Sequence, residues 1–190
     1  MTPYDFVHLS LLAVGGGIRG KTKLQKTLYF LGVLTDVIDD LAYRAHYYGP
    51  YSDEVSAAVS RLVSLGFVNQ SVGGAAFVNE SGFEVSRYDY ELNDQGTRIA
   101  EMKQRQYAEL WRKLVEAAKN LRDAGDIDYM KLSMAAKTHF MTRKKSRTSL
   151  GELVQLAQGF GWSVTQTEIV DSARFLERLG LVEIVKAKTK

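Results

Sequence analysis

The sequence has no cysteine, two prolines and three histidines. Without cysteine there can be no disulfide bond, no thiolate nucleophile and no cysteine-ligated zinc. The histidines, at positions 8, 46 and 139, are too scattered to give the short spacing of a metal-binding motif. With so little proline and no low-complexity tract, we expect a chain that is folded over most of its length.

Long apolar runs are missing as well. No segment approaches the roughly 18–20 apolar residues that a membrane span needs, and the N-terminus lacks the cationic region of a signal peptide. We therefore expect a soluble, cytoplasmic protein with no membrane contact. No Ser-His-Asp arrangement is recognisable, and the carboxylate clusters at 36–40 and 126–128 fall in polar turns. The sequence accordingly predicts no metal, no cofactor, no catalytic residue and no enzyme.

Positive charge is scarce in the first half of the chain. Residues 1–93 contain 7 Lys and Arg against 10 Asp and Glu, a net charge of −3. Residues 94–190 contain 18 against 12, a net charge of +6. Because binding to nucleic acid depends on positive charge facing phosphates, the position of each basic cluster matters more than the total.

The N-terminal half has the pattern of three helices followed by a hairpin. Thr2 and Pro3 are typical of a helix start, and Gly15-Gly16-Gly17 ends that helix. Periodicity and turn residues then predict a helix at 22–33, a strand at 43–48, a helix capped by Ser52 and ended by Gly66, and strands at 67–72, 75–79 and 83–92. Turns are expected at Gly73-Gly74 and Ser81-Gly82. This order is that of a winged helix-turn-helix, with the hairpin as the wing.

The C-terminal half reads as mainly helical. Apolar spacing predicts one long helix at 94–122, helices at 129–140, 150–158 and 165–179, and a short strand at 181–185. The predicted fold class is therefore mainly α with a small antiparallel wing. We divide the chain into a winged helix-turn-helix domain (1–93), a connecting or dimerisation helix (94–124) and a helical unit (125–190). The apolar stripe of the long helix could pack on the first domain or on a second copy in a homodimer.

A helix, a glycine and an immediately following strand occur twice. The segment from Val55 to Val68 matches the one from Ile169 to Val182, with Leu-Gly at the end of each helix. The C-terminal unit could therefore be a second, wingless helix-turn-helix. The alternative is convergence, because a helix that stops at glycine is common.

Residues Gly15 to Thr22 formally satisfy the phosphate-loop pattern G-x-x-x-x-G-K-[ST]. The preceding apolar run, 6–14, could be read as the required strand. However, no set of buried parallel strands follows, and such a sheet is what a nucleotide-hydrolysing P-loop protein needs. We interpret the segment as a flexible glycine turn before a helix, and keep nucleotide binding as the remote alternative.

Four blocks resemble the YwgA-like proteins, which are small bacterial and archaeal winged-helix proteins. Residues 18–31 (IRGKTKLQKTLYFL) are similar to their G-K-T-K-L-Q-K segment, and 46–52 (HYYGPYS) to their Y-G-P-Y-S turn. The other two blocks are 65–68 (LGFV) and 90–96, where Asn93 replaces the usual threonine of a Y-x-L-T-x-x-G ending. A weaker likeness covers 132–140. The resemblance implies a winged helix and a regulator-like role, and it supplies no ligand, DNA site or catalytic residue.

These observations lead to two functional hypotheses. The first is a DNA-binding transcriptional regulator, acting on double-stranded DNA and expected to be a homodimer. The second is a protein-binding adaptor, phage-associated or antitoxin-like, suggested by the acidic start of the third helix. The residues predicted to contact DNA are Arg19, Lys21, Lys23, Lys26, Tyr51, Ser52, Ser56, Ser60, Arg61 and Arg87, with a second basic patch at Arg143, Lys144, Lys145 and Arg147.

Overall fold

The computed structural model describes residues 1–78, 84–125, 128–143, 145 and 147–184. These residues form α1 (Pro3–Ala13), β1 (Gly17–Arg19), α2 (Lys21–Leu34), a 3₁₀ helix (Ile38–Leu41), α3 (Asp53–Ser64), β2 (Val68–Val78), β3 (Glu84–Leu92), α4 (Asp94–Gln106), α5 (Ala108–Asp123), α6 (Tyr129–Thr142), α7 (Leu150–Gly159) and α8 (Gln166–Arg178). The predicted class, mainly α with a small antiparallel sheet, is confirmed, and the order is consistent with a winged-helix-like fold. No helix in these ranges has the length and apolar character needed to cross a membrane.

Two of the predicted helix starts in the first half are confirmed by their capping contacts. The Thr2 hydroxyl accepts a hydrogen bond from the Asp5 amide at 3.2 Å, and Pro3 occupies the first helical position. The Ser52 hydroxyl accepts from the Val55 amide at 2.9 Å and so caps α3. Each hydroxyl satisfies a backbone donor that the first turn of a helix leaves without a partner.

The sheet differs from the prediction in its strands. Its order is β1-β3-β2 and every pairing is antiparallel. β2 runs through Gly73-Gly74, where a turn was predicted, and the glycines coincide with a shift of register between Gly73 and Phe77. The strand predicted at 43–48 is reduced to a single bridge between Arg44 and Tyr51. The turn predicted at Ser81-Gly82 lies outside the described residues.

The helix predicted at 94–122 is two helices that meet at Tyr107. Tyr107 leaves the helical conformation (φ −117°, ψ 45°), and its hydroxyl donates to the Asp5 carboxylate at 3.2 Å. After the break, α5 buries Leu114, Ala117 and Ala118 in the core formed by α1, α2 and α3. Of the two packings that the sequence left open for this apolar stripe, the structure shows the one on the first domain.

The two Leu-Gly helix ends share one geometry. After α3, Gly66 (φ +70°) donates to the Val63 carbonyl and Phe67 to the Leu62 carbonyl, both at 3.0 Å. After α8, Gly180 (φ +69°) donates to Glu177 and Leu181 to Leu176, both at 2.9 Å. This pair of backbone hydrogen bonds, together with a glycine in the left-handed conformation, is the Schellman motif. The strand predicted at 181–185 is wrong over 181–184, which are irregular, and Val185 lies outside the described residues.

Helix α2 lies at the centre of the molecule. Its residues from Leu24 to Gly32 are all buried. Leu24, Leu28 and Leu31 contribute to the first core, with α1, α3 and α5. Tyr29 and Phe30 contribute to a second core, with α6 and α8. The Tyr29 hydroxyl also forms a 2.8 Å hydrogen bond with His139 Nδ1 on α6.

Candidate nucleic-acid interface

The candidate interface begins where the sheet passes into α2. Strand β1 pairs with β3, and the Gly20 amide extends this pairing by donating to the Tyr88 carbonyl at 3.0 Å. Gly20 has φ +88°, a left-handed value that suits glycine, and its lack of a side chain leaves the start of α2 without a side-chain cap. Lys21 follows directly and is exposed. The turn therefore presents a lysine beside the face of the sheet.

A cleft of about 290 Å³ lies between the start of α2, helix α3 and the hairpin; we call it the α2–α3 cleft. Its apolar floor is Leu24 and Val59. The other lining residues carry hydrogen-bonding groups, and none of those that the structure places there is a carboxylate: Lys21, Gln25, Ser56, Ser60, Gln70, Tyr88 and Tyr90. A cleft of this composition can donate to negatively charged or carbonyl oxygens without like-charge repulsion.

Three of the predicted residues line this cleft, and a fourth, Tyr51, contacts two of them. Ser56 and Ser60 lie one helical turn apart on α3, and both line it with Lys21. The Tyr51 hydroxyl donates to the Ser56 hydroxyl oxygen at 2.9 Å, and the Lys21 ammonium lies 5.9 Å from the centre of the Tyr51 ring. Lys21, Tyr51, Ser56 and Ser60 thus form one contiguous group.

Lys26 and Ser52 were predicted to contact DNA, and the structure corrects both predictions. Lys26 is only 2% exposed, and its ammonium donates to the Pro50 carbonyl at 2.6 Å. Burial, reinforced by the nearby charge of Lys137, lowers the pKa of Lys26 to about 7. Ser52 is fully buried, with its hydroxyl committed to capping α3 and to the Leu41 carbonyl. Ser52 is therefore unavailable for a contact, and Lys26 borders only the cavity between the start of α2 and the segment 44–53.

Arg19 and Arg87 lie on the opposite face of the sheet from the cleft. Paired residues in an antiparallel sheet share a face, and neighbouring residues alternate. Arg19 is paired with Asp89, whereas Tyr88 and Tyr90 on either side of Asp89 line the cleft. The Arg87 guanidinium donates to the same Asp89 carboxylate at 3.1 and 3.3 Å. Asp89 therefore offsets positive charge of the arginine side chains that were expected to contact phosphates.

The other predicted cations are dispersed. Arg61 is exposed, with its guanidinium 5.2 Å from the centre of the Tyr4 ring on α1, one step around α3 from Ser60. Lys23 is half-buried and lines a different cleft of about 570 Å³, together with Arg19 and Arg122. In the second basic patch, Arg143 pairs with Asp39, and Lys145 and Arg147 are exposed. Lys144 lies outside the described residues.

Sequence reasoning missed Gln70 and Tyr88 as parts of the cleft. The alternation of the hairpin contains the signal, because Val68, Gln70 and Val72 share one face and are paired with Leu92, Tyr90 and Tyr88. Val68, Tyr90 and Leu92 are buried, while Gln70, Val72 and Tyr88 are exposed. A face that turns from buried to exposed along a hairpin marks where the strands leave the core and reach a surface.

The glycine segment 15–22 does not have the context of a phosphate loop. The apolar run before it is helix α1, and Gly17–Arg19 forms strand β1 within the segment itself. Ile18, in the middle of the pattern, is buried opposite Tyr90. The strands that the structure describes are antiparallel throughout, whereas a P-loop requires a parallel sheet. The P-loop interpretation is therefore abandoned.

Comparison with known proteins shows a partial similarity to a bacterial protein. No protein-family model matches the chain. The chain is 31% identical over 93 residues to the protein of Bacillus subtilis (strain 168) named "Uncharacterized protein YwgA", which covers 47% of this chain and 51% of that protein. The chain thus spans about half the length of the curated relative it matches. This similarity agrees with the resemblance seen in the motifs, and the name of that protein assigns no activity.

Proposed function

We propose that the protein binds duplex DNA as a transcriptional regulator and that the α2–α3 cleft forms part of the contact surface. The observation that carries the proposal is the composition of this cleft, where lysine, serine, glutamine and tyrosine groups surround a volume that no described carboxylate lines. Lysine is suited to phosphates, and hydroxyl and amide groups can bond to phosphate oxygens or to base edges.

The exposed face of α3 supports the same proposal. Its exposed residues after the first turn are small or cationic: Ala57, Ser60, Arg61 and Ser64. Of the two acids at its start, Asp53 accepts from the Arg44 guanidinium at 2.8 and 3.1 Å, so its charge is largely offset. In winged-helix proteins this helix enters the major groove, and two half-sites are often read by a dimer. We therefore extend the proposal to a homodimer on DNA.

Fluorescence anisotropy with labelled duplex DNA over a salt series tests the proposal. The logarithm of the binding constant should fall linearly with the logarithm of salt concentration, with a slope of about −0.9 for each phosphate contact. Ser60→Asp places a carboxylate in the cleft and should weaken binding at least tenfold. Lys119→Glu, a charge reversal at an exposed position of α5, should have a much smaller effect. The titration end point gives the stoichiometry, hence the oligomeric state on DNA.

A duplex that fails to bind at low salt would overturn this proposal and favour a second candidate, a protein-binding adaptor. The observation favouring it is an exposed apolar pair on the hairpin, Val72 (59% exposed) and Tyr88 (38% exposed), paired across the two strands. The exposed Glu54 lies at the start of α3. In that case Val72→Glu should abolish co-purification of the partner, and Lys119→Glu should leave it unchanged.

A further inference from the structure

A second cavity adjoins the α2–α3 cleft and shares Lys21 and Gln25 with it. It has a volume of about 410 Å³ and lies between the first turns of α2 and the segment 44–53; we call it the lysine chamber. Its lining residues are Lys21, Thr22, Gln25, Lys26, Arg44, His46, Tyr48, Tyr51 and Asp53. A volume of this size is within the range of small-molecule sites, which is roughly 300–1,000 Å³.

One wall of the chamber includes Lys26, whose buried ammonium group has no counter-charge among the described residues. Lys26 is 98% buried, since only 2% of it is exposed. An ammonium group has three donors, and within the described residues the Pro50 carbonyl is the one acceptor recorded for it. No described carboxylate forms an ion pair with it, and its charged neighbour is another lysine, Lys137. A buried cation in such surroundings is unfavourable unless an anion approaches it.

The turn at Gly49 brings the two lysines together. A Cβ atom at this position would lie 3.1 Å from Lys137 Cγ and 3.5 Å from Lys26 Cε, and the φ of +97° also favours glycine. Glycine thus leaves room for the two aliphatic stems beside the turn. Lys137 is held on its other side by the Trp162 ring, 5.5 Å from the ammonium. Trp162 in turn donates to the His46 carbonyl at 2.7 Å, which fixes the backbone of the opposite wall.

That opposite wall is aromatic. The His46 and Tyr51 rings lie 5.1 Å apart at an angle of 34°, and Tyr48 is 55% exposed beside them. Asp53 is the one carboxylate among the lining residues, and it is engaged by Arg44. The chamber therefore combines three cationic side chains with three rings, and its single described acid is already paired.

We propose that the lysine chamber is a binding site for a phosphate ester that carries a planar ring, a ligand of the size and chemistry of a mononucleotide. The phosphate supplies a counter-charge for Lys26 and contacts Lys21. The ring of the ligand lies against His46 and Tyr48, because aromatic faces stack on nucleobases. Side chains form this cradle, in contrast to the backbone wrapping of a P-loop. The inference goes beyond duplex binding and does not depend on it.

Isothermal titration calorimetry with adenosine 5′-monophosphate and with adenosine tests the site. The monophosphate should bind, and adenosine should bind at least tenfold more weakly because it lacks the anion. The bound phosphate should also make Lys26 take up a proton near pH 7.5, since it favours the charged form. The other charged or titratable groups that line the chamber are Lys21, Arg44, His46, Tyr48, Tyr51 and Asp53, and Lys137 lies near the ammonium. The apparent enthalpy should therefore differ between two buffers of different ionisation enthalpy, and Lys26→Met should abolish that difference.

Three variants complete the design. Lys26→Met should weaken binding of the monophosphate at least tenfold, and Lys119→Met on α5 should leave its affinity unchanged. If Lys26→Met does not fold, Arg44→Ala at the exposed rim should weaken binding instead. A 5′-phosphorylated single strand identifies the source of the ligand: tighter binding than the monophosphate indicates a strand terminus, and weaker binding indicates a free nucleotide.

The proposal is overturned if neither the monophosphate nor the phosphorylated strand binds at millimolar concentration. It is equally overturned if both bind without proton uptake, or if folded Lys26→Met and Arg44→Ala proteins bind as the wild type does. Duplex binding is measured separately with Ser60→Asp, which lies outside the chamber. The failure of one proposal can therefore be distinguished from the failure of the other.

Discussion

Replacing Lys26 with methionine should change how the stability of the protein depends on pH. Methionine fills a similar volume without an ionisable group, so the comparison isolates the titration of this one amine. Burial lowers the pKa of Lys26 from its ordinary value of 10.5 to about 7. The unfolded chain therefore holds a proton on this residue between pH 7 and pH 10.5, where the folded protein has released it.

The sign and size of the effect follow from this difference. Stability rises with pH wherever the unfolded state binds more protons, by up to about 1.4 kcal/mol for each pH unit. Between pH 7 and pH 9 the wild type should gain about 2 kcal/mol relative to Lys26→Met, since the folded amine is only half neutral at the lower limit. Lys137 also has a lowered pKa, but it is present in both proteins and largely cancels.

Urea unfolding at pH 6, 7, 8 and 9 measures the effect for wild type, Lys26→Met and Lys119→Met. The free energy of unfolding of the wild type should rise relative to Lys26→Met above pH 7, and the two curves should run parallel below pH 6. The exposed control, Lys119→Met, should follow the wild type throughout. Parallel curves for wild type and Lys26→Met up to pH 9 would refute the inference that Lys26 is buried as an amine of low pKa.

Two further predictions concern the cores. Burial and the charge of Arg143 lower the pKa of His139 from 6.5 to about 4. The free energy of unfolding of the wild type should therefore fall by about 3 kcal/mol as the pH falls from 6.5 to 4. In urea unfolding, His139→Gln should flatten this decline, and an unchanged decline would contradict the prediction. Gly96→Ala should lower the free energy of unfolding by about 3 kcal/mol, because the added Cβ would overlap the Phe67 carbonyl oxygen. Urea unfolding of Gly151→Ala, where a Cβ meets open space, is the control.

The sequence predicted local structure well where one or two residues determine it. Thr2-Pro3 and Ser52 start helices because a hydroxyl caps the first turn, and Gly66 ends α3 because it adopts the left-handed conformation. The glycines at 73 and 74 misled the prediction, because glycine permits an irregular strand as readily as a turn. The break at Tyr107 was also missed, since apolar periodicity continues across it and a tertiary contact with Asp5 accompanies it.

The candidate site was predicted in part, for a similar reason. Lys21 was predicted from the basic start of α2 and the two serines from the outward side of α3, and the structure brings the three to the same cleft. Lys26 was predicted on the surface because it lies one step around α2 from the buried line of leucines, and an amphipathic helix is usually covered on one side. Here α6 covers the other side, and that packing comes from residues more than 100 positions away. Periodicity within a helix cannot reveal a partner that arrives from elsewhere in the chain.

The unbroken burial of Leu24 to Gly32 also determines how the molecule can be divided. A fragment that ended near residue 93 would keep the hairpin and the cleft, but it would expose Tyr29 and Phe30 to water. It would also lose Leu114, Ala117 and Ala118 from the first core. The winged-helix-like half and the C-terminal half should consequently unfold together in one cooperative transition. Gene fusions or deletions that separate them should yield aggregation-prone products instead of two independent modules.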